Sequence, residues 1–256
     1  MECLICGHES YKFKEKNGFD ICKCSECGLD FLSPMPTDQE LYNFYTQDYH
    51  DIRQQKKVAR KNSEQNFKEI VTNFPITKDS NILDFGCGGA NEFVGVCRDL
   101  SYNNSFGFDK YSSTDTDVTR LSWDEAQKIQ YDLITMWGIL EHLTDPVKTL
   151  SLLKKNLSPK GLIVLTTVFS DATIPFRYKP PEHTLYFRKK SLEYLGKLSG
   201  LTILSVNDYI IKQDSDVYFQ ILLRTMPEKY KKLCHHKMPE FVEIPTNECF
   251  VIMRNT

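Results

Sequence analysis

The run Ile82-Leu83-Asp84-Phe85-Gly86-Cys87-Gly88-Gly89-Ala90 constrains this chain more than any other segment. A short apolar strand delivers the backbone into a turn rich in glycine. That composition is required where main chain must approach a ligand closely. Asp84 stands in the strand end, ahead of the first glycine. The turn therefore departs from the dinucleotide pattern, which cradles a pyrophosphate, and suits a cationic ligand bearing an amino group. Gly107-Phe108-Asp109 closes the next strand-like run, 25 positions after Asp84. A carboxylate there can accept both hydroxyls of a ribose, and a helix N-cap is the alternative role for Asp109.

Seven strand-like runs are spaced along residues 81–256: Asn81 to Phe85, Ser105 to Phe108, Tyr131 to Trp137, Leu162 to Val168, Thr202 to Val206, Val217 to Leu223 and Cys249 to Met253. Helical patterns intervene, notably Asp145 to Leu157 and Lys189 to Ser199, the latter ending on Gly200 as a C-cap. Strands alternating with helices predict an α/β fold with a mostly parallel sheet covered on both faces. Thr37 to Glu40 has capping-box spacing, and residues 51–73 carry a weak helical period through Val58, Phe67 and Ile70. The expected division is a cysteine unit at 1–33, a helical lead-in at 34–80 and the main domain at 81–256. Met226 to Asn247 fits either a helix or an extended crossing.

Nine cysteines are present, five of them within the first 27 residues. Cys3-Leu4-Ile5-Cys6-Gly7 and Cys24-Ser25-Glu26-Cys27-Gly28 are two CxxCG turns, a spacing that presents paired thiolates to a tetrahedral zinc ion. Reduced, unliganded cysteines in a small hairpin are the plainer alternative. Cys3, Cys6, Cys24 and Cys27 are the candidate ligands, with Cys22 an alternative to Cys24. Four thiolates leave no open position for a catalytic water, so the site is expected to be structural. His235 and His236, beside Cys234, lack a second ligand pair at metal spacing.

The net charge of −2 gives no general attraction to nucleic acid or anionic membrane. No stretch has the length and apolarity of a membrane span or a secretory leader, so a cytoplasmic protein is expected.

The glycine turn with Asp84 and Asp109 resembles the class I S-adenosylmethionine-dependent methyltransferases, especially their ubiquinone-biosynthesis-like group. The segments Tyr131 to Leu143, with its Leu140-Glu141-His142-Leu143, and Asp145-Pro146 through Leu165 are similar to that group's later strands and helix. His183 with Tyr186-Phe187 is similar too. The knuckles followed by Pro34-Met35-Pro36-Thr37 resemble the lead-in of a bacterial subset serving sugar and surface-polysaccharide pathways. The resemblance implies a Rossmann-like seven-stranded sheet with an N-terminal zinc-ribbon-like unit. It implies S-adenosylmethionine as cofactor, contacted by Asp84, Gly86, Cys87, Gly88 and Asp109, with Trp137 and Glu141 nearby. Leu121 and Ser122 are the candidates beside the adenine. The family's third glycine is replaced here by Ala90.

Methyl transfer to a hydroxyl requires in-line geometry and a base for the departing proton. Histidine ordinarily titrates near neutral pH, and His142 and His183 are both expected on the rim where open α/β sheets bind ligands. A capping or orienting role is the alternative for His142, and a loop-fixing hydrogen bond the alternative for His183. Arg177, Tyr178 and Lys179 precede His183, where cations can receive a phosphate on the acceptor. The expected acceptor is a sugar, sugar nucleotide or phosphorylated metabolite. RNA or protein methylation, with the zinc unit as recognition module, is the competing function, and a non-catalytic binding protein on the same scaffold is the third.

Overall fold

The computed structural model describes residues 1–45, 56–111, 119–172, 176–215, 218–219 and 239–255. Its first three strands, β1 (Ser10–Lys16), β2 (Phe19–Cys24) and β3 (Asp30–Ser33), form an antiparallel meander. Asn17 and Gly18, both at positive φ, reverse the chain between β1 and β2 as a tight hairpin demands. Thr37 caps helix α1 (Asp38–Asn43) in a full capping box with Glu40, as its spacing predicts. Helix α2 (Lys56–Asn73) follows, and residues 51–55 of the stretch expected to be helical lie outside the described residues.

The main sheet is built from β4 (Ile82–Phe85), β5 (Ser105–Phe108), β6 (Tyr131–Trp137), β7 (Leu157–Val168), β9 (Leu201–Asp214) and β10 (Phe241–Asn255). The two-residue strand β8 (Leu185–Tyr186) belongs instead to the N-terminal sheet. Spatial order in the main sheet is β5-β4-β6-β7-β10-β9. β4, β5, β6 and β7 run parallel, and β10 is antiparallel to both its neighbours. Connecting these strands are α3 (Glu92–Asp99), the single turn α4 (Trp123–Ala126), α5 (Pro146–Lys155) and α6 (Lys189–Ser199).

Period-two alternation along each strand builds two cores. Ile82, Leu133, Val164 and Ile252 face α2 and α3, where they meet Phe67, Ile70 and Phe93. Leu83, Ile134, Ile163 and Val251 face the other way, toward Leu150 and Leu153 of α5 and Leu192 and Leu195 of α6. Strands buried on both sides read as continuous apolar runs, which is how β4, β6 and β7 appear in the sequence.

Two details differ from expectation. β7 begins at Leu157, five residues before its apolar run, because Leu157 pairs with Tyr131 and the Ser158–Gly161 stretch bulges out with Lys160 at positive φ. Among the described residues the main sheet has six strands where seven were expected. Tyr218 and Phe219, within the run expected as a strand, are helical, and the rest of that run lies outside the described residues. A short apolar run carries no period that separates strand from buried helix. The 1–33 unit packs against the main domain. Its strand β3 pairs with β8, and Ile5, Leu29 and Phe31 share one core with Leu185, Phe187 and Leu192.

Phe67 is the keystone of the α2 side, with its ring edge-on to Phe93 at 5.8 Å and Tyr102 at 4.7 Å. Phe67→Ala is expected to destabilise the fold by about 3–5 kcal/mol. In urea titration the midpoint should fall with an unchanged slope.

Candidate active site

The glycine turn leaves β4 where β5 and β6 both end. Gly86 (φ +83°) and Gly88 (φ +61°) occupy left-handed conformations. A Cβ on Gly86 would stand 2.3 Å from Ile139 Cδ1, so a side chain there would force Ile139 to move and would be strained by the positive φ. The amides of Gly86 and Cys87 both donate to the Phe108 carbonyl (2.7 and 3.1 Å), tying the turn to the end of β5. From beneath, the buried Arg120 guanidinium donates to the carbonyls of Gly88 and Gly89 and reaches Cys87 Sγ. Arg120 was not legible as a site residue, since it comes 30 positions after Ala90.

Asp84 is 3% exposed and accepts a 2.7 Å hydrogen bond from Thr135 Oγ1 on β6. Burial pushes its carboxyl up to about 7. Asp109 accepts from the amides of Gly88 (Oδ2, 2.9 Å) and Tyr111 (Oδ1, 2.9 Å). It braces the turn from the end of β5.

These groups line a cavity of about 1020 Å³, along with Gly86, Cys87, Gly88, Trp137 and His142. Leu121 does not line it: its amide donates to Gly107 and its side chain packs into the core. Ser122 caps α4 instead. The capping box Ser122-x-x-Glu125 puts Trp123 at the first helical position. There Trp123 forms an aromatic wall with Phe85 and Phe108, at centroid distances of 5.3 to 6.0 Å. Tyr45 and Tyr111 also enter the lining, stacked at 4.9 Å. Trp123, Tyr45 and Tyr111 escaped sequence reasoning because aromatic residues in a motif-free stretch look like core.

Leu140–His142 form a 3₁₀ turn after β6. Glu141 is buried away from the cavity lining. Its Oε2 accepts from Thr167 Oγ1 (2.8 Å), its carbonyl accepts from Thr184, and burial pushes its carboxyl up to about 7. His142 reaches the cavity. Its Nδ1 lies 2.8 Å from the Glu182 carbonyl and 2.6 Å from Tyr45 Oη. A carbonyl only accepts, whereas the Tyr45 hydroxyl can accept or donate; the tautomer that satisfies both contacts carries the proton on Nδ1 and leaves the lone pair of the neutral ring on Nε2. Burial holds His142 below the usual histidine range, keeping that ring neutral. His183 does not line the cavity: it is 7% exposed, packs edge-on to His142 at 4.8 Å, and burial pushes it down to about 3. Of the two histidines, His142 alone has access to a ligand. Ligand atoms of Glu141, His142 and His183 come within 4.8 Å of one another, a group able to hold a metal ion.

Arg177, Tyr178 and Lys179 do not line the cavity, so the phosphate role expected of them has no geometry behind it. Tyr178 donates to Asp30 instead. The sulfurs of Cys3, Cys6, Cys24 and Cys27 all lie within 4.8 Å of one another, with Cys3–Cys27 at 3.6 Å and Cys6–Cys24 at 3.4 Å. A tetrahedral zinc with 2.3 Å bonds holds its sulfurs about 3.8 Å apart, so this set fits. Cys22 is fully buried and stands outside the group. His235, His236 and Cys234 lie outside the described residues.

A family model described as a methyltransferase domain matches residues 55–206. No curated protein matches the chain. Among solved structures, an S-adenosylmethionine-dependent methyltransferase from Archaeoglobus fulgidus is 17% identical (TM-score 0.50), covering 78% of this chain and 97% of its own. A chain of the complex between the Haloferax volcanii Trm112 methyltransferase activator and a methyltransferase is 14% identical (TM-score 0.53), covering 84% and 97%. The 4+2 cyclase SpnF is 15% identical (TM-score 0.52), covering 87% and 98%. These likenesses are of fold, and one fold serves different chemistries. The family match spans more than half of the chain, which therefore belongs to the class I S-adenosylmethionine-dependent methyltransferases.

Proposed function

We propose that the protein methylates a hydroxyl of a small-molecule acceptor, of the sugar, sugar-nucleotide or phosphorylated-metabolite kind used in surface-polysaccharide synthesis. One observation carries this reading: a single cavity joins the glycine turn to His142. Its volume of about 1020 Å³ sits at the top of the 300–1,000 Å³ range of single small-ligand sites, leaving room for cofactor and acceptor together. Placement among the ubiquinone-biosynthesis-like enzymes and in the cytoplasm belongs to the same reading.

The site fits the cofactor. A Cβ added at Gly88 or Gly89 would meet nothing, so open space lies over the turn. Asp84 offers a buried carboxylate to an ammonium, Asp109 suits a ribose, and Phe85, Phe108 and Trp123 offer flat faces to a purine. When bound, S-adenosylmethionine supplies an electrophilic methyl group on a sulfonium. His142 holds a lone pair at Nε2 able to accept the acceptor's proton, in the tautomer that the Glu182 carbonyl sets. Glu141 holds the histidine turn through Thr167 and Thr184. We further propose that Cys3, Cys6, Cys24 and Cys27 bind a structural zinc ion, closed to substrate because every ligand is a thiolate.

Asp84 generates a pH signature. Its folded value of about 7 lies above the ordinary carboxylate value of about 3.9. Its contribution to stability in the ligand-free protein is therefore complete below pH about 4 and lost as pH rises through about 7. An ammonium ligand prefers the ionised form, so S-adenosylhomocysteine affinity measured by calorimetry should climb as pH is raised toward 7 and then level. Asp84→Asn should remove the climb, and Asp109→Ala should weaken binding at every pH.

For the reaction, methyl-tritiated S-adenosylmethionine offered with a panel of nucleotide sugars and sugar phosphates should label at least one. His142→Gln should slow that transfer by about 10²–10⁴-fold. Label passing only into RNA or protein would overturn the small-molecule reading. Metal analysis of the purified chain should return about one zinc, and Cys24→Ser should lose the metal together with thermal stability.

A further inference from the structure

We propose that the cysteine-bearing N-terminal unit positions the acceptor half of the site, acting through Asp30 and Tyr178 on the segment that presents the Glu182 carbonyl to His142. This inference rests on the reading of His142 as an acceptor-side residue. Residues 176–187 are a strap lying between two partners. On one side β3 pairs with β8, and Leu32 N donates to the Thr184 carbonyl at 3.0 Å. On the other side Thr184 donates from both its amide and its hydroxyl to the Glu141 carbonyl, and Glu182 offers its carbonyl to His142 Nδ1.

The middle of the strap is held by the cysteine unit at several points. Tyr178 Oη donates to Asp30 Oδ2 at 2.7 Å, and Asp30 is buried and paired with Lys23 at 3.0 Å. Lys16 Nζ donates to the Tyr178 carbonyl at 2.6 Å, and Asn17 Nδ2 to the Pro180 carbonyl at 3.3 Å. Within the strap, Tyr186 Oη accepts from the Lys179 amide and donates to the His183 carbonyl. Glu182 thus sits four residues from the Tyr178 anchor, in a segment with little freedom left. Its carbonyl, which can only accept, favours the proton on Nδ1 of His142, with the Tyr45 hydroxyl beside it free to accept or donate.

Charge supports an internal task over nucleic-acid docking. Residues 1–33 carry four lysines against six acids. Lys12, Lys16 and Lys23 are already committed to partners inside the protein.

The test is nitrogen-15 NMR of histidine-labelled full-length protein, with hydrogen exchange and S-adenosylhomocysteine calorimetry on the same samples. Wild-type His142 should show a uniformly protonated Nδ1. Tyr178→Phe and Asp30→Ala should convert it to a mixture of tautomers. Asp30→Asn, which keeps an oxygen for Tyr178, should retain the wild-type signal. Amides from Lys179 to Thr184 should exchange at least about tenfold faster in the first two variants, while Gly86 to Gly88 stay protected. S-adenosylhomocysteine affinity should hold within about twofold, because the glycine turn shares no partner with the strap. Unchanged His142 signals in Tyr178→Phe would overturn the proposal, as would equal loss of protection at the glycine turn. Tyr178→Phe removes one hydroxyl and carries the test even where Asp30→Ala does not fold. A wild type that fails to bind S-adenosylhomocysteine would sink the methyltransfer reading and leave the tautomer result standing on its own.

Discussion

The parallel pairing of β4 between β5 and β6 is the constraint on which the rest of the structure depends. Because β4 lies inside the sheet, its last residue cannot swing aside, and the chain must turn sharply above the ends of both neighbours. That demand puts Gly86 and Gly88 in left-handed conformations and brings the Ile139 side chain hard against Gly86. The Phe108 carbonyl and the Arg120 guanidinium then complete the turn from either side. Close approach of backbone to ligand follows from strand order, and the glycines permit what the sheet imposes.

Desolvation is the second organising force. Asp84 and Glu141 are both buried carboxyls pushed up to about 7, and each accepts from a threonine hydroxyl on an adjacent strand. Their positions give them different uses. Asp84 faces the cavity, where a cationic ligand can restore its charge, whereas Glu141 faces the strap and the histidine turn. The same burial, with Lys179 nearby, holds His142 and His183 neutral. A neutral imidazole with a defined tautomer is the form a proton acceptor needs.

The N-terminal sheet enters this arrangement as structure. The N-terminal sheet and the turn after β6 meet over the segment from Arg177 to Phe187, the first through β3 and the second through Glu141 and Leu143. A small unit of 33 residues has little core of its own. Here it shares Leu29 and Phe31 with the large domain and offers a group of four cysteines as a staple.

How much of this was legible follows from how local each signal is. The glycine turn, Asp84 and Asp109, the strand at 131–137, the helix at 189–199 and the four-cysteine set are carried by spacings of a few residues. Period and spacing specify such features before any folding. The division of labour between His142 and His183 was not legible, since both are rim histidines in sequence and only packing buries one behind the other. Trp123, Tyr45 and Tyr111 came to the cavity from three separate elements, and Leu121 was carried away from it by pairing with Gly107. Asp30 and Tyr178 lie 148 residues apart, a separation across which no sequence period reaches. Sequence determined which backbone could cradle a ligand, because glycine, strand and turn chemistry are local. Tertiary structure decided which side chains face that ligand, because burial depends on neighbours that only the completed sheets bring together.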